Sequence, residues 1–400
     1  MQNSNHQITG IISIFTLLQF IVLIVFGYTP YPDSVGYIEI AHECLAYGDI
    51  YPSAKLINDY PFLWNIGAIN AVIASLWVSG SVMPLLVIYT LLKGITAALF
   101  YLVVKHQTGQ KTALIALIMY VLYPANYGEA TSTLSELPFM FFMMSALWLC
   151  LCHQKYVVGG MFLAIANWFR PMGIVFLAAI IIWMLYTNRR KAWQPLCGYL
   201  LIILIIGSLC SLRTGLFLYQ AKTGWMALTD YSTKHMPQSM AVRDNNLWNV
   251  SQKDSAWQSL FLEWVKDHKL EYAKQIPGKF VNTYVSDNVN MCTFIPDKTK
   301  KEYMYEEVSM GTLINSFPHF SPVQWLTAIN LIFYYALIIT ALFSLKFFKT
   351  DSYLLSVTII LLGTLLLLFV GHGEARFHIL FIPFFIMLSA MFINIKVCKG

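Results

Sequence analysis

Ten apolar runs constrain this chain more than any single residue does. They cover 11–27, 83–104, 112–124, 136–152, 157–169, 172–187, 194–214, 325–345, 352–370 and 378–395. A helix needs about 20 residues to cross a hydrocarbon core of about 30 Å. The short runs 112–124 and 157–169 therefore need flanking residues or local thinning of the bilayer. The chain is 58% hydrophobic and only 12% charged, against about 25% charged in a soluble domain. Lipid must replace water over most of its surface, so the chain reads as an integral membrane protein.

A further apolar run, 61–78, leaves the span count open, and the basic residues resolve it. They cluster at Lys105/Lys111, Lys155, Arg189/Arg190/Lys191, Lys346/Lys349 and Lys396/Lys399. If 61–78 stays on one side as a juxtamembrane helix, all five clusters share a face, as the excess of Lys and Arg in cytoplasmic loops requires. The expected fold is an all-α polytopic bundle of about ten transmembrane helices with both termini cytoplasmic. Met1–Gly10 has no Lys or Arg, and no small-residue cleavage site follows the apolar run 11–26. The first run is thus expected to persist as an anchor. The net charge of +6 reads as a topology signal and does not imply nucleic acid.

This topology divides the chain into an N-terminal membrane module at 1–214, a polar insert at 215–324 and C-terminal membrane helices at 325–400. Within the first, residues 28–82 form an outer loop. The insert contains Trp225, Trp248, Trp257 and Trp264, a helical pattern over 254–275 and a turn signal at Pro277-Gly278. Its aromatic content marks a small folded outer insert, not a disordered linker. The seven Cys form no CxxC pair and no metal-ligand spacing. Cys150 and Cys152 read as packing residues. Cys44 and Cys292 both fall in the outer segments, where a disulfide between them is open but nothing else supports one.

Ionisable residues gather on the outer face. Directly after the first run comes Tyr31-Pro32-Asp33-Ser34-Val35-Gly36-Tyr37. Pro32 favours extended entry, Asp33 fits an N-cap and Gly48 fits the stop of a short helix. On that helix Tyr37 and Ala41 share a face with Asp33. Asp33 reads either as a cap or as a partly desolvated general base acting on a hydroxyl. Arg170-Pro171 splits an apolar stretch and is either a snorkelling hairpin or a phosphate or carboxylate ligand. Gly371 to His378 (GHGEARFH) places Glu374, Arg376 and His378 beside two apolar runs. That segment is either an anion site or a turn held by its own Glu374–Arg376 pair. Glu136 opens the fourth run, where the helix dipole alone would favour it. Lys93, mid-run, needs a partner and reads as a lipid-phosphate ligand or a snorkel. No P-loop, dinucleotide fingerprint, zinc site or nucleophile elbow is present. An enzyme with an outward cavity lacks nucleotide-activated donors, so its donor would be lipid-borne.

Taken in order, several pieces resemble the GT-C superfamily of polyprenyl-phosphate-sugar glycosyltransferases, in particular the protein O-mannosyltransferase and aminoarabinose-transferase branch. They are Asp33 with Tyr37, Ala41, Gly48 and Tyr51; Pro61-Phe62-Leu63-Trp64; Tyr123-Pro124 through Ser135-Glu136; Arg170-Pro171 with Gly173; and Glu374-x-Arg376-Phe377 with Pro383. The resemblance is scattered over most of the membrane region and rests on order and spacing.

It implies a helical bundle whose first outer loop roofs a catalytic cavity. One sugar would pass from a polyprenyl-phosphate donor, in bacteria undecaprenyl phosphate, to an acceptor hydroxyl with inversion. Asp33 would be the base, and Arg376, with Arg170 or Lys93, would hold the donor phosphate, with Tyr37, Glu136, Glu374 and His378 lining the site. The acceptor would be a glycan, lipid or protein, and the location the bacterial inner membrane with the site facing outward. Ser34 stands where many relatives carry a second acid, which disfavours a divalent metal, and no cofactor is implied with certainty. The competing readings are a transporter or flippase of lipid-linked saccharides, which usually shows repeats, and a polymerase or ligase of such saccharides.

Overall fold

In the computed structural model, residues 2–296, 304–347, 351–371 and 373–399 are described. His372 and Lys349 of the sequence motifs lie outside them. The protein is 79% helical, and the described residues contain no strand. An isolated antiparallel bridge joins Leu63 to Lys222.

The helices in chain order are α1 (Gln2–Phe26), α2 (Pro32–Ala46), α3 (Ile66–Ser79), α4 (Met83–Thr108), α5 (Gln110–Leu122) and α6 (Glu136–His153). There follow α7 (Tyr156–Phe169), α8 (Gly173–Thr187), α9 (Gln194–Thr214), α10 (Gly224–Thr233), α11 (Pro237–Arg243) and α12 (Val250–Asp267). The last are α13 (Lys269–Tyr284), α14 (Met304–Glu307), α15 (Met310–Ser316), α16 (Pro322–Ser344), α17 (Asp351–Phe369) and α18 (Ile382–Lys399). Six helical segments among the described residues are long and apolar enough to cross a membrane: 6–26, 83–108, 136–153, 189–214, 322–347 and 375–395. Five shorter apolar helices accompany them, at 66–79, 110–122, 156–169, 173–187 and 353–369. The protein is thus a multi-pass helical membrane protein.

Local chemistry sets the helix ends. Prolines near the starts of α2, α4, α9 and α16 fall where a missing N–H costs nothing. Capping boxes start α12 (Asn249 with Gln252) and α16 (Ser321 with Gln324). Glycine lets two helices meet closely: a Cβ on Gly160 of α7 would lie 1.9 Å from the Pro195 carbonyl oxygen, and one on Gly198 of α9 would lie 1.8 Å from that of Val157. Close backbone approach of this kind takes the place of hydrophobic attraction between helices in lipid.

The connections of the bundle converge at one end. Thr29 is hydrogen-bonded to Thr131, Asn65 to Ser135, Arg170 to Ser135, Lys222 to Leu63 and Arg376 to Asp33. The lysine- and arginine-bearing turns between α4 and α5, α6 and α7, and α8 and α9 sit at the opposite helix ends.

The insert differs from its sequence reading. The helical pattern at 254–275 is two helices, α12 and α13, meeting at His268. Pro277 and Gly278 form no turn; both lie inside α13. Side chains of α13 bond to Phe369 and Thr364 of α17 and to Gly371 beyond it, and Tyr334 of α16 donates to the Tyr284 carbonyl. No disulfide joins Cys44 to Cys292; both are buried, the first against the Tyr60 hydroxyl and the second against the Met304 carbonyl.

Candidate functional site

Asp33 does not cap its helix. Tyr31 holds the N-cap position in extended conformation, Pro32 follows, and Asp33 sits in the first turn of α2. Its carboxylate there faces the favourable end of the helix dipole. Gly48 ends the element as expected, with φ +65°. Tyr37, one turn on, is fully buried, and its hydroxyl accepts a hydrogen bond of 2.7 Å from Asn65 Nδ2. Burial raises the Tyr37 phenol above its ordinary value, and the negative charges of Asp33 and Glu136 push in the same direction.

Arg376 is the centre of the cluster. A 3-10 turn, Ala375–Phe381, leads into α18 and buries this guanidinium at the convergent end of the bundle. Nη2 lies 2.5 Å from Asp33 Oδ2, Nε 3.1 Å from Glu136 Oε1 and 3.8 Å from Glu374 Oε1. Arg170, in the extended residue that ends α7, brings Nη1 to 2.9 Å from the same Glu136 oxygen. It also donates to Ser135 Oγ at 3.2 Å and stacks over the Phe377 ring, 5.1 Å from its centroid. Three carboxylates thus meet two guanidinium groups, with one negative charge in excess.

The five groups differ in wetness, Glu374 being the most exposed at 40%. The side chains of Glu136, Arg170 and Arg376 are almost wholly buried, whereas that of Asp33 is 27% exposed. Two carboxylates are both paired with Arg376 and reachable from solvent: Asp33 at 2.5 Å, as a direct hydrogen bond, and Glu374 farther off at 3.8 Å. Beside Arg376 and Glu136 a cavity of about 10 Å³ reaches Glu129, Ser132 and Asn290. That is room for about one water and none for a sugar ring.

Two expected members lie elsewhere. Lys93 does not snorkel to the interface. It is 2% exposed, ion-paired with Glu129 and bonded at 3.0 Å to Asn126 Oδ1. The helix carries it inward to a carboxylate whose partnership no sequence spacing indicates. His378 turns away from Arg376. Its Nδ1 meets the Thr283 carbonyl at 2.7 Å, and its Nε2 lies 3.2 Å from Asp287 Oδ1. A carbonyl only accepts, so Nδ1 carries the proton there. Asp287 also accepts from Tyr123 and Asn330, making a second, fully enclosed polar cluster that ties the insert to the 3-10 turn. Ser135 belongs to the Ser135-Glu136 step of the sequence, whereas Asn65 and Asp287 stand in no sequence motif. Asn65 and Ser135 stand immediately before the apolar starts of α3 and α6, a cap-like position that was their available signal.

Asp33 and Glu136 are each engaged by guanidinium groups and do not face each other across an open position. Among the described residues no group of three His, Cys, Asp or Glu forms a cation ligand set. The residues present do not fit a divalent metal. No protein-family model matches this chain, and no curated protein matches it.

Proposed function

We propose that the protein is a membrane glycosyltransferase that moves one sugar from a polyprenyl-phosphate donor to an acceptor hydroxyl, with inversion and with Asp33 as general base. The observation that supports this most is the solvent-reachable Asp33 carboxylate held at 2.5 Å by a buried arginine at the end of an apolar bundle. Two oxygens of a phosphate match the paired N–H groups of a guanidinium. When the donor phosphate takes Arg376, the arginine remains fixed by Glu136 and Asp33 is released, bearing its charge, toward the acceptor. Anion binding and creation of the base are then one event.

The acceptor oxygen forms a bond to the anomeric carbon as its proton passes to Asp33. The bond from that carbon to the phosphate oxygen breaks, and the electron pair leaves on the polyprenyl phosphate. Arg376 and Arg170 stabilise that charge in a site poor in water.

In this reading the four shorter helices α5, α7, α8 and α17 join the six longer segments as ten spans, and α3 stays at the outer surface. The basic turns then face the cytoplasm, and the site opens to the exterior of a bacterial inner membrane. The test is transfer by Asp33→Asn protein, with a polyprenyl-phosphate sugar and a panel of glycan, lipid and protein acceptors. Loss of transfer with normal folding is expected. Full transfer by the variant removes Asp33 from the base role. Movement of lipid-linked sugar across vesicles by the wild type without product would replace the enzyme with a transporter.

A further inference from the structure

Helix α13 belongs to the polar insert by sequence, yet its surface divides sharply. Leu270, Lys274, Pro277, Val281 and Val285 recur at the helical period and share one face, with Phe280 beside them. Leu270 is 70% exposed, Val281 52%, Phe280 48% and Val285 42%. Tyr272 and Lys279 stand on the opposite face and Tyr284 flanks the stripe beside Phe280, and all three are occupied. Tyr272 donates to the Phe369 carbonyl (2.8 Å), Lys279 to that of Gly371 (3.0 Å), and the Tyr284 hydroxyl meets Thr364 Oγ1 at 2.5 Å. From α16, Tyr334 donates to the Tyr284 carbonyl and Tyr335 to that of Val285.

These contacts fix the depth of the helix. Tyr272 touches the last residue of α17, and Tyr284 touches a residue five positions earlier. At 1.5 Å per residue the far end of α13 lies about 7 Å below the end of α17. An interfacial helix sinks its apolar face by about 5–10 Å. The two helices that α13 bonds to expose apolar side chains of their own: Ile332 of α16, and Leu361, Leu365 and Phe369 of α17. Those side chains belong to helices that need lipid around them.

We propose that α13 lies in the lipid interface at the insert end of the bundle, with Leu270, Phe280, Val281 and Val285 in the acyl region. Exposed Lys269 and Lys274 reach up to lipid phosphates, their stems lying along the apolar surface. The occupant of the stripe is bilayer lipid. The helix also supplies the Thr283 carbonyl that fixes His378, two residues from Arg376. Lipid contact therefore supports the segment that presents the arginine. The inference does not depend on the glycosyltransferase reading.

Nitroxide labels at Leu270→Cys, Val281→Cys and Val285→Cys test it in nanodiscs, in full-length protein with Cys152, Cys197 and Cys398 changed to Ser. Collision with oxygen is expected to exceed collision with a water-soluble nickel chelate several-fold at all three positions. Glu263→Cys, on exposed α12, should show the reverse. Dominant nickel collision at 281 and 285 would place the stripe in water and overturn the proposal. Weak collision with both reagents would assign the stripe to a protein partner or a second copy, and overturns it equally.

Discussion

Arg376 holds three carboxylates of unequal burial, and its removal should report that inequality. Deleting one partner of a buried ion pair costs about 3–5 kcal/mol, because the other charge is left without compensation. In Arg376→Gln protein, Glu136 keeps Arg170 at 2.9 Å, which places the expected loss toward the lower end, about 3 kcal/mol. The loss can be divided by two double-mutant cycles. Glu136 is nearly dry, so its coupling to Arg376 should approach the upper range for contacting pairs, about 3 kcal/mol. Asp33 is 27% exposed, and water screens part of its attraction, so its coupling should be about 1 kcal/mol despite the shorter distance of 2.5 Å. The assay is reversible unfolding in mixed micelles of the wild type, Arg376→Gln, Glu136→Gln, Asp33→Asn and both doubles. If Asp33 and Arg376 prove additive within about 0.5 kcal/mol, the contact carries no energy and its role in holding the base fails. A coupling larger for Asp33 than for Glu136 would refute the use of burial to rank them.

Three further outcomes follow from separate parts of the molecule. Lys93→Met should destabilise the protein by about 3–5 kcal/mol by stranding Glu129, and Lys93→Met/Glu129→Leu should recover most of that loss in the same unfolding assay. Burial lowers Lys279 to about 8, below the unfolded value of about 10.4, so the unfolded chain binds more protons between these limits. Stability should therefore rise as pH increases from about 8 to 10, and thermal scans of Lys279→Met should lack that increment. Gly373 has φ +72°, and a Cβ there would lie 2.6 Å from the Lys279 carbonyl oxygen. Gly373→Ala should cost at least about 1–3 kcal/mol and lower the apparent melting temperature, whereas Gly278→Ala, with open space around it, should not.

Much of the architecture was legible from hydropathy, because a lipid solvent punishes any charge or unpaired backbone group along a span. The run 61–78 holds the single helix α3 from Ile66 onward, and Gly48 ends α2 because only a residue without Cβ enters φ +65° freely. Insert chemistry was harder to read. Pro277-Gly278 is a strong local turn signal, yet tertiary bonds to α16 and α17 hold it within a helix. Asp33 likewise looks like a cap in isolation, and one position of register moves it into the first turn instead. Six of the eight expected site residues do meet: Asp33, Tyr37, Glu136, Arg170, Glu374 and Arg376. Lys93 and His378 do not, since one finds Glu129 and the other finds Asp287.

By itself the sequence determined that the chain is a multi-pass helical membrane protein and that its acids and arginines leave the apolar runs at particular helix ends. Those are consequences of short-range patterns and of the cost of charge in lipid. Only the tertiary structure decided which opposite charges become partners. Asp33 and Arg376 are 343 residues apart in the chain, and no local rule couples positions so distant. The pairing follows from how the helices pack and where their ends converge, and it sets which carboxylates stay within reach of solvent.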